Sequence, residues 1–167
     1  PILPPEGIQV VDPNKAFQIT WMLKGVTKRG TAKSLRDFKH EIAGKTGTTN
    51  DNMDAWFLGV SPELAVGVYV GYDTPKDLGE GETGGKVAVP IFSDFMKIAL
   101  KNKERRPFLV PEGVEMVKVD YKTGSVIRSD SKNTIYEAFL KGYSSSSEKE
   151  PEQKKSFNLG LFMMKWS

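Results

Sequence analysis

Apolar positions along the chain fall into two repeats. Ala16, Ile19, Leu23 and Val26 recur at helical spacing with Phe17 and Trp21 on an adjoining strip, which predicts a helix with a core-facing side. Asp12-Pro13 places a carboxylate at the N-cap and a proline at the first helical position, and Gly30 ends the helix. A polar loop over 31–37 leads to a short strand from about Phe38 to Thr46. Asp54 to Val60 reads as a second strand, and Ser61-Pro62-Glu63 as a turn. Leu64 to Tyr72 then alternates strictly: Leu64, Val66, Val68, Val70 and Tyr72 face one way, and Ala65, Gly67, Tyr69 and Gly71 the other. One face is large and apolar and the other mostly small, so the expected sheet is covered on both sides, with glycines admitting a close helix. Short connections make it an antiparallel meander. Residues 74–87 read as a Gly-rich loop. Pro90 then opens a second helix, with Ile91, Phe95 and Ile98 on one stripe and Phe92, Met96 and Ala99 beside it.

After Pro107 the pattern changes. Val114 to Val119 and Val126-Ile127 flank the turn Lys122-Thr123-Gly124-Ser125, which predicts a β-hairpin. Residues 143–156 are polar and of low complexity, the composition of a disordered segment. The apolar stretch Phe157 to Trp166 is too short to span a bilayer. Docking back onto the domain is favoured for it over contact with a membrane surface or a partner. The expected fold is α/β (α+β), a short antiparallel sheet flanked by helices. Its organisation is a domain over 1–106, a hairpin extension over 107–142 and a tail over 143–167.

Composition narrows the function classes. A chain of 167 residues with net charge +3 and 27% charged residues has an ordinary solvated surface. Its basic excess is local: Lys101, Lys103, Arg105 and Arg106 follow the second helix, where cations suit the dipole, and Lys154-Lys155 lie in the tail. No basic face interleaved with aromatics points to nucleic acid, so none is expected as a partner. Without cysteine there is no thiol chemistry, and with His40 alone there is no multi-histidine metal site; His40 reads as a surface strand residue. No cofactor or metal is expected. The chain opens at Pro1 in a Pro-rich stretch and shows neither a signal peptide nor an apolar run of spanning length. It reads as a piece of a longer protein.

Candidate chemistry concentrates at Gly44-Lys45-Thr46-Gly47-Thr48-Thr49-Asn50. A phosphate-binding P-loop would need a glycine where Lys39 stands, and an apolar helix face after Thr46 where Gly47 to Asn52 offers none. The other reading is the Lys-Thr-Gly element of penicillin-recognising serine acyltransferases, whose companions are Ser-x-x-Lys and Ser-x-Asn. The resemblance extends through Ala43 to Asn50, Asp54-Ala55-Trp56-Phe57-Leu58-Gly59, Gly67 to Asp73 and Glu82-Thr83-Gly84-Gly85. Over roughly Val11 to Gly142 the sequence resembles the C-terminal part of the transpeptidase domain of class A, bifunctional penicillin-binding proteins.

The resemblance implies a serine D,D-transpeptidase that cross-links peptidoglycan stem peptides. Lys45 and Thr48 would be catalytic: Lys45 supplies positive potential, and the Thr48 N–H half of an oxyanion hole. Thr46, Gly47, Thr48 and Thr49 would bind substrate, the hydroxyls of Thr46 and Thr48 taking the terminal carboxylate of a D-alanyl-D-alanine peptide or of a β-lactam. Gly47, lacking a side chain, would let the substrate backbone lie close. The family also implies a membrane anchor near the N-terminus, a glycosyltransferase domain, an extracytoplasmic location, and the N-terminal part of the same domain as a partner, all upstream of Pro1.

The nucleophile is not legible. Ser129-Asp130-Ser131-Lys132 and Ser146-Ser147-Glu148-Lys149 match Ser-x-x-Lys, and Ser131-Lys132-Asn133 matches Ser-x-Asn, but all follow Lys45 where the family order puts them before it. The second Lys-Thr-Gly, at Lys122, reads as turn geometry. The chain alone is therefore expected to be inactive. A carboxypeptidase or β-lactamase, or a non-catalytic assembly module, remains an alternative.

Overall fold

A computed structural model describes residues 8–143. They form two compact units, one of residues 8–19 with 110–143, the other of residues 20–109. The expectations for the tail beyond Tyr143 lie outside the described residues.

The first helix, α1 (Pro13–Arg29), begins where the cap residues predict. Asp12 Oδ1 accepts from the N–H groups of Asn14 at 3.0 Å and Lys15 at 3.1 Å, satisfying two amides that a helix start leaves without partners. Asp12→Ala should cost about 1 kcal/mol in urea denaturation; an unchanged midpoint would show the cap to be idle. The burial of α1 differs from the expected stripe. Ala16 is exposed and Ile19 is 56% exposed, while Phe17 and Thr27 are buried. Thr27 tolerates burial because its hydroxyl reaches the carbonyls of Lys24 at 2.9 Å and Ile42 at 2.8 Å.

In the larger unit a 3₁₀ turn (Lys33–Leu35) leads to β1 (Ala43–Thr48), β2 (Asp54–Val60) and β3 (Ala65–Gly71), a three-stranded antiparallel meander in the order β1-β2-β3. Strand β1 begins five residues later than the period suggests, and His40 lies ahead of it, half-buried, its ring centroid 6.5 Å from that of Phe38. Alternation in β3 is as read: Val66 and Val68 pack on the core.

The second helix, α2 (Gly84–Ala99), starts six residues before the expected Pro90, which lies inside it. Glycine and proline are poor helix formers, and packing overrides them. Gly84 seats the first turn directly on β1 and β2, where a methyl carbon would come closer than 3.0 Å to the carbonyl oxygens of Gly47 and Trp56, and Gly85 lies against the Thr31 carbonyl. Because α2 covers the face of Ala55, Phe57, Val66 and Val68, the glycines of β3 do not admit it; among the described residues they lie on the open face with Trp56, Leu58 and Tyr69. The core gathers Leu35, Ile42, Phe57, Val89, Phe92 and Met96. Of the two stripes read on this helix, Phe92 and Met96 are buried, whereas Ile91, Phe95 and Ile98 are 50%, 51% and 78% exposed.

In the smaller unit, β4 (Val114–Asp120) pairs antiparallel with β5 (Thr134–Leu140). The expected partner, Val126-Ile127, makes only an isolated bridge, Val119 to Val126. Lys122-Thr123-Gly124 is a turn: Gly124 has φ +71°, and Asp120 Oδ1 accepts from the N–H groups of Lys122 and Thr123, both at 2.9 Å. Those bonds hold the Asp120 carboxyl below its ordinary value. Longer pairing is available at 134–140, so the hairpin closes there and leaves 121–133 as its loop.

Candidate active site

The stretch Gly44 to Asn50 occupies β1 and the turn after it, and among the described residues β1 is an edge of its sheet. Ladder geometry fixes which backbone groups look outward. The Thr49 N–H donates to the Asp54 carbonyl at 3.1 Å, and in an antiparallel pair backbone direction alternates with every residue. The amides and carbonyls of Gly47 and Lys45 therefore turn to β2, and those of Thr48 and Thr46 turn out from the sheet. The Lys45 ammonium agrees, donating to the outward Thr46 carbonyl at 2.8 Å.

Side chains alternate in the other sense. Lys45 and Gly47 share the face of Leu58 and Trp56, the open one, whereas Thr46 and Thr48 share the face of Phe57 and Ala55, beneath α2. The structure thus brings the predicted residues to one strand edge but divides their side chains between two faces. Lys45 is exposed. Thr46 is buried, and its hydroxyl is paired with that of Thr31 at 2.7 Å. Gly47 lies opposite Trp56, whose Cβ would be 3.2 Å from a methyl carbon added at Gly47. Thr48 is exposed, and its Oγ1 accepts the N–H of Gly84 at 3.0 Å, tying the strand to the start of α2. Thr49 Oγ1 accepts the N–H of Asp54 at 2.8 Å and so closes the turn.

That turn holds Asp51 at φ +61° and Asn52 at φ +52°, in the left-handed region that Asp and Asn tolerate better than most residues. Beside it Thr48, Thr49, Asn50, Asp51, Met53, Asp54 and Pro75 line an open depression of about 570 Å³. Sequence reasoning missed Thr31, Gly84 and this depression. The Glu82-Thr83-Gly84-Gly85 run was the only signal for Gly84, and nothing local marks Thr31.

On the open face the Tyr69 ring packs tilted against Trp56 with centroids 4.6 Å apart, and its hydroxyl donates to Asp54 Oδ1 at 2.8 Å. That hydrogen bond first, then partial burial and the charges of Asp54 and Asp73, raises the phenol above its ordinary value. A raised folded value means that the contribution is complete below the unfolded pKa and is lost as pH climbs through the folded one. Ultraviolet titration should show one tyrosine ionising later than a free phenol, near pH 10, and Asp54→Ala should remove that late step. Persistence of the step in the variant would reject this origin.

Ser129, Ser131 and Lys132 lie in the loop between β4 and β5, not on a helix, so the first Ser-x-x-Lys match lacks the geometry of an activated serine. The second lies outside the described residues. Among the described residues no group of three His, Asp or Glu side chains could hold a metal ion, and no helix is long and apolar enough to cross a membrane.

The meander with its edge Lys-Thr-Gly strand and the helix seated on it defines a class. Residues 3–97 match the family model described as the penicillin binding protein transpeptidase domain, and the chain belongs to that family. The class A resemblance is borne out within it. The chain is 47% identical over 138 residues to penicillin-binding protein 1A of Rickettsia bellii, covering 82% of this chain and 17% of that protein. It is 42% identical over 114 residues to penicillin-binding protein 1A of Neisseria gonorrhoeae, covering 68% and 14%. The crystal structure of penicillin-binding protein 1A from Haemophilus influenzae superposes with a TM-score of 0.68 at 31% identity, covering 80% of this chain and 21% of that one. The chain thus spans about a sixth of the length of such relatives.

Proposed function

We propose that this chain supplies the Lys-Thr-Gly strand of a peptidoglycan D,D-transpeptidase, the nucleophilic serine being contributed by another part of the same domain. The observation that carries the reading is the edge of β1, open among the described residues: Lys45 is exposed beside it, and the N–H groups of Thr46 and Thr48 point outward from it. An extended peptide ending in D-alanyl-D-alanine can pair with such an edge as an added strand.

The serine Oγ attacks the carbonyl of the penultimate D-alanine. The Thr48 N–H and the serine's own N–H hold the oxyanion, and the terminal D-alanine leaves with a proton on its nitrogen. An amine of a neighbouring stem peptide then displaces the serine oxygen and completes the cross-link. Lys45 lowers the energy of the negative charge at the serine and at the substrate carboxylate. Of the two hydroxyls, that of Thr48 is exposed and can donate to the carboxylate. Thr46, already paired with Thr31, contributes by holding the strand, and Thr49 by closing the turn. A β-lactam would acylate the same serine. The parent protein acts at the extracytoplasmic face of the membrane, as the class A resemblance implies.

A fluorescent penicillin tests this directly. The 167-residue chain should take up no label; stoichiometric labelling would overturn the assignment of the nucleophile elsewhere. Replacing the matching stretch of the Rickettsia bellii relative with this chain should give a labelled chimera, and Lys45→Ala should slow its acylation by about a hundredfold. An unlabelled but folded chimera would refute the transpeptidase reading.

A further inference from the structure

Two hydroxyls bonded to each other carry two protons and use one of them in the bond. Thr31 and Thr46 are such a pair, their Oγ1 atoms 2.7 Å apart with a geometry that admits either as donor. Burial decides between them. Thr46 is only 9% exposed, whereas Thr31 is open to solvent, and an O–H left without an acceptor is costly inside a protein but not at its surface. The Thr46 O–H therefore donates to Thr31 Oγ1. Thr31 keeps its own proton for an acceptor outside the fold, and a hydroxyl whose oxygen already accepts a hydrogen bond is the stronger donor for it.

Thr31 is the last of three residues, spaced by three and four, that tie α1 and its end to the approach and body of β1. Lys24 pairs with Glu41, Thr27 with the Ile42 carbonyl and Thr31 with Thr46. Thr27 is buried, so its bond serves the interior. Thr31 has no such need. Its backbone is nevertheless held: its carbonyl lies where a methyl carbon at Gly85 would be 2.6 Å away, and the next residue, Ala32, is fully buried. It also stands on the ligand side of the strand. Across β1, Thr46 faces Phe57, which is fully buried; an exposed residue touching the Thr46 hydroxyl must lie on the other side, along the edge that is open among the described residues. Thr48 is built in the same way: its Oγ1 is filled by the Gly84 N–H at 3.0 Å, which turns its proton outward.

Resting on the transpeptidase reading, we infer that Thr31 is a substrate-binding residue that lies outside the Lys-Thr-Gly motif. Its O–H donates to the terminal carboxylate of the D-alanyl-D-alanine peptide or the β-lactam, the role that the motif alone would assign to Thr46. Thr48 and Thr31 are then the two hydroxyl donors at that carboxylate. Thr46 acts from behind, by giving its proton to Thr31.

The test uses the Rickettsia bellii chimera and a fluorescent penicillin in two forms, one with its carboxylate free and one with it blocked as a methyl ester. Thr31→Val should slow labelling by the acid about tenfold, the worth of a hydrogen bond to a charged group, and leave the slower ester rate unchanged. Thr31→Asp still accepts from Thr46 but offers a like charge in place of a proton, so it should slow the acid about a hundredfold and again spare the ester. Thr31→Ser, which keeps the hydroxyl, should retain the acid rate. Equal slowing of acid and ester would give Thr31 a structural role only, and an unchanged acid rate in Thr31→Val would mean that it touches no carboxylate; both overturn the inference and leave the transpeptidase reading intact. A folded wild-type chimera that takes no label would sink that reading, and the inference with it. Proton NMR of the free chain is a second measurement, independent of the chimera. The Thr46 hydroxyl proton should exchange slowly with water and that of Thr31 rapidly. The reverse order would show Thr31 donating inward, with nothing left to give a substrate.

Discussion

Gly84→Ala should destabilise the larger unit by about 3 kcal/mol, lowering its melting temperature by about 15 °C. A methyl carbon at this buried position would come closer than 3.0 Å to the carbonyl oxygens of both Gly47 and Trp56, and to 3.2 Å from the Gly47 nitrogen. These are backbone atoms of paired strands, so no side-chain rotation relieves the clash. Either the sheet spreads or the first turn of α2 lifts. Lifting also stretches the hydrogen bond from the Gly84 N–H to Thr48 Oγ1, so the same substitution should slow penicillin labelling of the chimera. Urea denaturation gives the first number. A loss under about 1 kcal/mol would mean that the helix start shifts freely and does not position the Lys-Thr-Gly strand.

Phe92→Ala should cost about 4 kcal/mol. Phe92 is fully buried, its ring set edge-on against Phe57 with centroids 4.8 Å apart. Its tip fills the notch left by Gly59, where a methyl carbon would meet Phe92 Cζ at 2.5 Å and Phe57 Cε1 at 2.7 Å. The two positions should therefore be coupled. Gly59→Ala destabilises the wild-type chain by overpacking, whereas in the Phe92→Ala background its methyl enters vacated space and only the Phe57 contact still opposes it. Chemical denaturation of the four members of the cycle measures this. Strict additivity would show that the ring and the notch do not share one space.

Local chemistry made much of this protein legible without its fold. The Asp12 carboxylate and Pro13 set the start of α1, because a cap is satisfied within one turn. The alternation from Leu64 to Tyr72 set β3 and its core face, because a strand's period is two regardless of what it packs against. The density of glycine, hydroxyl and lysine at 44–49 marked the strand now found on the sheet edge. What the sequence could not decide were matters of partner choice. Pro90 looked like a helix start, but α2 extends backward because Gly84 fits against the backbone of β1 and β2 and Gly85 against the Thr31 carbonyl. Val126 looked like a strand partner until 134–140 offered seven residues of pairing. Two apolar stripes on α2 were equally plausible as the buried one, and the sheet took Phe92 and Met96 rather than Ile91, Phe95 and Ile98. Thr46 and Thr48 read as equivalent hydroxyls, yet Thr31, fifteen residues away, occupies one and leaves the other exposed. In each case the period along the chain named the candidates, and the contact across space, which no period encodes, chose between them.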